Sequence, residues 1–292
     1  MTIKLFADDL KVYCSSKIAE NIVKPLQDFI HKFSQYCDIN GLSINTNKCQ
    51  TLHIGNKNQK HSYQLLGNAI KSVEKNESVR DLGLYVTSDL RWNTHIDIVT
   101  NKARRVSFAI LKSIRFSKPE IMINLFKIYV RPIIEFASNV YNPYLVKDIN
   151  RLEKIQKDYL KNVFKRANPK LFQTDPFSSL PPYKELLFLY GLESLELRRL
   201  KSDLILFHKH LHGYAKINAF NSYKTIKTKT RGNEYKIFPN ICKSIVRHNS
   251  FFIRTSRIYS KLDSDTRNCD VKLFKLKLDT HPILNKFCKC KI

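Results

Sequence analysis

"KLFADDLKVY", residues 4–13, sets two adjacent acids, Asp8 and Asp9, between apolar, β-prone residues: Leu5 and Phe6 before them, Leu10, Val12 and Tyr13 after. This is the pattern of a strand, a tight turn and a second strand. A carboxylate pair fixed at a hairpin tip suits a hard cation, because Mg²⁺ takes oxygen ligands and commonly a substrate phosphate as well.

Working outward, residues 15–41 carry Ile18, Ile22, Val23, Leu26, Phe29, Ile30, Phe33 and Cys37 at helical spacing, with a serine cap before them and Gly41 as the stop. "LSINTNKCQTLHIG" (42–55) alternates in strand style on either side of a polar turn at 45–48, and "VRDLGLYV" (79–86) is a further β-like run. Strand pair, helix and strands predict a small α+β unit over residues 1–95. From Trp92 onward the patterns are helical: 95–114, 119–141 and 146–167, then two more helices split near Gly191. Pro119 occupies a favoured first-turn position, and Pro132 is expected to bend its helix. Residues 96–215 are thus expected to be a helical region. Residues 216–292 are basic, β-prone and weakly patterned, either a small domain or a partly ordered arm.

The 292 residues hold 51 Lys and Arg against 25 Asp and Glu, a formal charge of +26. The excess grows along the chain: 12 basic and 9 acidic residues in 1–95, 21 and 11 in 96–215, 18 and 5 in 216–292. Cations concentrated away from the acids point to a polyanionic partner. The seven cysteines are dispersed and odd in number, which fits reduced thiols in a nuclear or cytoplasmic setting rather than a disulfide scaffold. No charged-then-apolar leader and no apolar run of ~20 residues is visible, so neither secretion nor a membrane is expected.

An aromatic-Ala-Asp-Asp box in a hairpin, followed by "GLSINTNKC" (41–49) and "VRDLGLYVTSDLRWNTHI" (79–96), resembles the palm of a reverse transcriptase from a non-LTR retrotransposon of the LINE, jockey-like kind. The likeness continues through "YVRPIIEFASNVYNP", "LEKIQKDYLKNV", "YGLESLELRRLKSDLI" and "HNSFFIRTSRIYSKL", and so covers nearly the whole chain. "ADD" alone is a common turn sequence; the order and spacing of several blocks carry the resemblance.

The resemblance implies a partial palm with a primer-grip hairpin, a thumb-like helical region and a basic C-terminal region. It implies Mg²⁺ as cofactor and an RNA template with a DNA primer, or their duplex, as partner. In such polymerases two metal ions stabilise the attacking hydroxyl and the leaving pyrophosphate. By resemblance Asp8 is a metal ligand and Asp9 its neighbour in the box, Phe6 fills the aromatic position, and Lys48 matches a lysine near the triphosphate, where an ammonium can protonate the leaving group. Residues 82–86 resemble the primer grip. The family's other metal-binding Asp and its fingers lie upstream of the box, and this sequence starts seven residues before Asp8. The expectation is therefore an incomplete active site. Tyr36-Cys37 also replaces the more usual Trp-Cys.

The thumb-like helices supply the candidate nucleic-acid contacts: Arg104, Arg105, Lys112 and Arg115, then Arg151, Lys154, Lys157, Lys161, Lys165 and Arg166. Phe251, Phe252 and Tyr259 beside Arg254 and Arg257 could stack on unpaired bases, or form a small core with basic edges. His208, His210 and His212 invite a metal reading, but only the first and last share a helix face, so surface histidines are the simpler expectation. Cys269, His281, Cys288 and Cys290 are spaced too loosely for an ordinary zinc site. Three readings stand: a truncated RNA-directed DNA polymerase inactive alone, a non-catalytic nucleic-acid-binding module, and an unselected relic of a mobile element.

Overall fold

Strand β1 (Thr2–Phe6) and strand β2 (Asp9–Tyr13) pair antiparallel, with Phe6 opposite Asp9, so the connection is the two residues Ala7 and Asp8. Ala7 has φ 51°, the left-handed region that short hairpin turns demand and that costs a residue with a Cβ. This hairpin belongs to a computed structural model describing residues 1–16, 20–55, 58–114, 118–174, 180–219, 222–227 and 235–286. The chain divides into two compact units, Met1–Thr94 and His95–Ile292.

In the first unit, helix α1 (Glu20–Ile39) turns a half-buried apolar stripe inward and ends in the expected way at Gly41. The Leu42 amide donates to the Cys37 carbonyl at 2.8 Å and the Gly41 amide to Asp38 at 3.1 Å, with Gly41 at φ 67°. That double closure satisfies two carbonyls at the helix end, and glycine adopts its left-handed conformation without a Cβ penalty. The alternating stretch after it is not the predicted pair of strands. The polar turn expected at 45–48 is a 3₁₀ turn at Thr46–Lys48, in which the Lys48 and Cys49 amides are taken by the carbonyls of Asn45 and Thr46, but of the runs on either side of it only β3 (Gln50–Thr51) forms a strand. Strands β4 (Gln64–Leu65), β5 (Asn68–Ala69) and β6 (Lys71–Ser72) are two residues each; β4 pairs with β5 and β3 with β6. The side chain of Gln27 on α1 clamps the backbone of Gln64, accepting from its N–H at 2.9 Å and donating to its carbonyl at 2.8 Å.

The run at 79–86 is a hairpin, β7 (Ser78–Asp81) against β8 (Leu84–Thr87), turning through Leu82 and Gly83, both at positive φ. Lys11 on β2 forms an ion pair with Asp81 on β7, tying the two hairpins together. Among the described residues every sheet has two strands. The unit is α+β as expected, with its strands in separate pairs.

The second unit is helical, with α2 (Asn93–Ser113) leading into it. Helix α3 (Pro119–Leu125) starts on its proline and runs into a π turn at Phe126–Val130, then α4 (Arg131–Glu135). Pro132 has no N–H to give, so the widened turn just before it replaces the simple bend expected. Helices α5 (Ser138–Tyr141), α6 (Val146–Ala167), α7 (Pro169–Thr174), α8 (Tyr183–Leu189) and α9 (Leu195–Leu211) follow. The Glu153 carboxylate accepts from the Tyr183 hydroxyl at 2.8 Å and from the Glu196 amide at 2.6 Å, joining α6, α8 and the start of α9.

Residues 216–286 do not stand apart as a domain or an arm. Hairpin β9 (Tyr223–Lys227) and β10 (Tyr235–Pro239), then helices α10 (Ile245–His248), α11 (Phe251–Tyr259), α12 (Ser264–Arg267) and α13 (Val271–Thr280), lie in the same unit as α9. Leu200, Leu204 and Phe207 of α9 share one core cluster with Ile237, Phe252, Tyr259, Phe274 and Leu278. A boundary near 215 would cut that cluster and expose its apolar surface, which opposes independent folding of the two parts.

Candidate nucleic-acid interface

Helix α2 buries Ile96, Val99, Thr100, Ala103 and Ser107. Each step of four residues advances only about 40° around a helix, so Arg104, Phe108 and Lys112 run along the opposite side, with Arg105 next to them, and all four are exposed. Helix α6 does the same. It buries Ile149, Leu152, Gln156, Tyr159, Leu160 and Val163 and turns Lys147, Lys154, Lys157 and Lys165 to solvent, with Lys161 half-buried between them.

Two arginines fix these helices to each other. Arg151 forms an ion pair with Asp97 near the start of α2. Arg166 donates to the carbonyl of Ile114 at 2.7 Å and also to that of Leu111, capping the far end of α2. From 97 to 111 is ~21 Å of helix and from 151 to 166 ~22 Å. The matched spans make the helices run side by side in the same direction.

The six basic residues of α6 predicted from sequence therefore separate into two kinds. Arg151 and Arg166 are structural ties between helices, while Lys154, Lys157, Lys161 and Lys165 share the outward face. None of these four, nor Arg104, Arg105 or Lys112, forms an ion pair with a carboxylate among the described residues, while the charge of Lys147 acts on the neighbouring buried Asp148. Asp158 is the acid on that stretch of α6, and Lys165 lies 5.8 Å from the Phe172 ring centre. Arg115 lies outside the described residues. Lys147 escaped the sequence reading, although its seven-residue spacing to Lys154 and Lys161 places all three on one stripe.

The residues predicted in α11 are placed differently. Arg254 is anchored inside the fold: its Nε donates to Asp203 at 2.9 Å, and its other nitrogens bond to the carbonyls of Asn249 and Asn139. Asp203 is buried and also accepts from Asn139 and Asn142, at 2.8 and 2.9 Å. Arg257 donates to the carbonyls of His248 and Ile253, and burial lowers its pKa. Phe252 and Tyr259 are core residues, and Phe251 stacks under Arg254. The alternative of a small core with basic edges holds, and base stacking by Phe252 or Tyr259 does not, since their rings face Phe207 at 6.3 and 5.1 Å.

The histidines are corrected likewise. His208 is fully buried, stacked on Phe274 at 3.9 Å between ring centres, and bonded to the Tyr259 hydroxyl and the Cys269 carbonyl. Burial, with His212 beside it, pushes its pKa down to about 4. His281 pairs with Asp263. Cys288 and Cys290 lie outside the described residues, and no group of three metal-ligating side chains occurs among the described ones.

In the first unit Asp8 and Asp9 are exposed at the hairpin tip, and Lys48 is exposed at the end of its 3₁₀ turn. No hydrogen bond or ion pair joins Lys48 to either acid among the described residues. The carboxylates are the right donors for Mg²⁺, but Asp8 belongs to the turn and Asp9 is the first residue of β2, so the pair sits on one side of an ion and does not enclose it. The described residues do not make the cage that two metal ions need.

The chain is 28% identical over 135 residues, 46% of its length, to an uncharacterized protein of Caenorhabditis elegans. The aligned region covers 64% of that relative, so the chain spans less than two thirds of it. No family model matches the chain, and no solved structure matches it. No helix among the described residues is long and apolar enough to cross a membrane.

Proposed function

We propose that this chain is a nucleic-acid-binding part of an RNA-directed DNA polymerase of the non-LTR retrotransposon kind, with the α2–α6 surface as the face that holds an RNA template and its DNA primer. The observation that supports this reading best is the lysine row on the outward face of α6, which forms no ion pair with a carboxylate among the described residues and is held beside the arginines of α2 by Arg151 and Arg166. Rigid cations in a row neutralise successive phosphates and release their counterions, which gives affinity without base preference. The polymerase assignment itself rests on the sequence resemblance. Within it, Asp8 and Asp9 are the acids of the metal corner, Lys48 the lysine near the triphosphate, and 82–86 the primer grip.

A second reading, a nucleic-acid-binding module without catalysis, is favoured by one contrast. The basic surface is complete within 95–286, whereas the carboxylate corner needs ligands that the described residues do not bring to it. Binding of a labelled 20-base-pair RNA–DNA hybrid to the full chain and to K154Q/K157Q/K161Q/K165Q tests the part common to both. Removing four phosphate partners should weaken binding more than about 100-fold at low salt. Equal affinity for the two proteins would reject both readings.

A further inference from the structure

A large apolar side chain lies exposed among the cations of this surface. Phe108 is 67% exposed in the middle of α2. Arg104 lies one turn before it, Arg105 three residues before it and Lys112 one turn after it, on the same side of the helix. The opposite face of α2 carries the buried residues, so the ring contributes little to the core. It has no aromatic neighbour among the described residues. Among the described residues Arg104, Arg105 and Lys112 form no ion pair with a carboxylate, while Asp97 further up the helix is neutralised by Arg151.

A flat apolar ring bracketed by cations at one-turn spacing matches the two faces of an unpaired nucleotide. The base stacks on the ring while the phosphates on either side meet the guanidinium and ammonium groups. A fully paired duplex offers no open base face, since its bases are already stacked on one another, and it would use the cations alone. We infer that Phe108 is a base-stacking platform, and that the α2 part of the surface binds single-stranded RNA or DNA. This deepens the function proposed above and rests on it, for a stacking platform needs the cations around it to hold a strand.

The test uses the full chain and two fluorescein-labelled probes, a 16-nucleotide unstructured single-stranded RNA and a 16-base-pair DNA duplex, with anisotropy read at several salt concentrations. Phe108→Ala and Phe108→Leu should weaken single-strand binding about tenfold, with the salt slope unchanged because no charge is removed. Duplex binding should move less than twofold, and Phe108→Trp should retain single-strand affinity. Because Phe108 is exposed, the three variants should melt at the wild-type temperature. If Phe108→Ala and Phe108→Leu bind the single strand as wild type does, or lose single strand and duplex equally, the platform is rejected, while lysine substitutions on α6 still report on the basic surface. If the wild-type chain binds neither probe, the broader reading fails instead.

Discussion

The guanidinium of Arg166 on α6 donates to the backbone carbonyl of Ile114, 52 residues earlier, at 2.7 Å. With the bond to the Leu111 carbonyl it fastens α6 to the C-terminal end of α2. An arginine that reads in sequence as one more phosphate contact is thus a helix cap and a spacer. Arg166→Ala should lower stability by about 1 kcal/mol, seen as a melting point about 2–4 °C lower. Because the guanidinium is committed to backbone, the same change should reduce the salt slope of binding less than Lys165→Ala does. A full unit lost from the slope would contradict the assignment.

Arg254 carries a larger structural load. Removing it leaves the buried Asp203 carboxylate, among the described residues, with the amides of Asn139 and Asn142 and no cation. Breaking one side of a buried pair typically costs ~3–5 kcal/mol, so Arg254→Ala should destabilise the protein severely. Adding Asp203→Asn should recover part of that loss, since a neutral amide needs no cation. A double variant no more stable than Arg254→Ala, measured by denaturant unfolding, would contradict the pairing.

The sequence is a good guide to where elements begin and end, and a poor one to which cations face outward. Gly41, Pro119 and the apolar periodicity of 146–167 placed helices because capping chemistry and burial are local. Arg151 and Arg166 were indistinguishable from Lys154 and Lys161, because their partners lie on another helix some fifty residues away. Leu42 and Ile44 alternate like a strand but pair with no neighbouring strand among the described residues, while the polar turn that follows them was legible as the 3₁₀ turn at 46–48. His208 has the composition of a surface histidine and the environment of a core one, since Phe274 and Tyr259 are supplied by distant segments.

Two buried histidines make stability depend on acid. Burial pushes both His95 and His208 down to about 4 from an ordinary value of 6.5. Between those values the unfolded chain binds protons that the folded chain refuses, so stability is fully present above about pH 6.5 and falls as pH drops toward 4. Glu153 and Asp148, both held above their ordinary values mainly by burial, act in the opposite sense. The melting temperature should therefore decline from pH 7 to 4.5, and His95→Phe should flatten that decline. A melting temperature constant over the range would contradict the burial of the two rings.

The metal corner yields a negative expectation. Asp8 and Asp9 project from neighbouring positions on one hairpin, and positioning of the triphosphate is a major part of phosphoryl transfer. The purified chain should show no primer extension on an RNA template with Mg²⁺ or Mn²⁺, and Asp8→Ala should behave identically. Template-dependent extension abolished by Asp8→Ala would mean that another acid completes the cage.

The most direct test of the proposed surface is the salt dependence of wild-type binding to a 20-base-pair RNA–DNA hybrid. If about four of the exposed cations on α2 and α6 neutralise phosphates together, the slope of log K against log salt should be near −3.6, a loss of more than 100-fold between 50 and 200 mM. A slope flatter than about −1 over that range would contradict the assignment of this surface to nucleic acid.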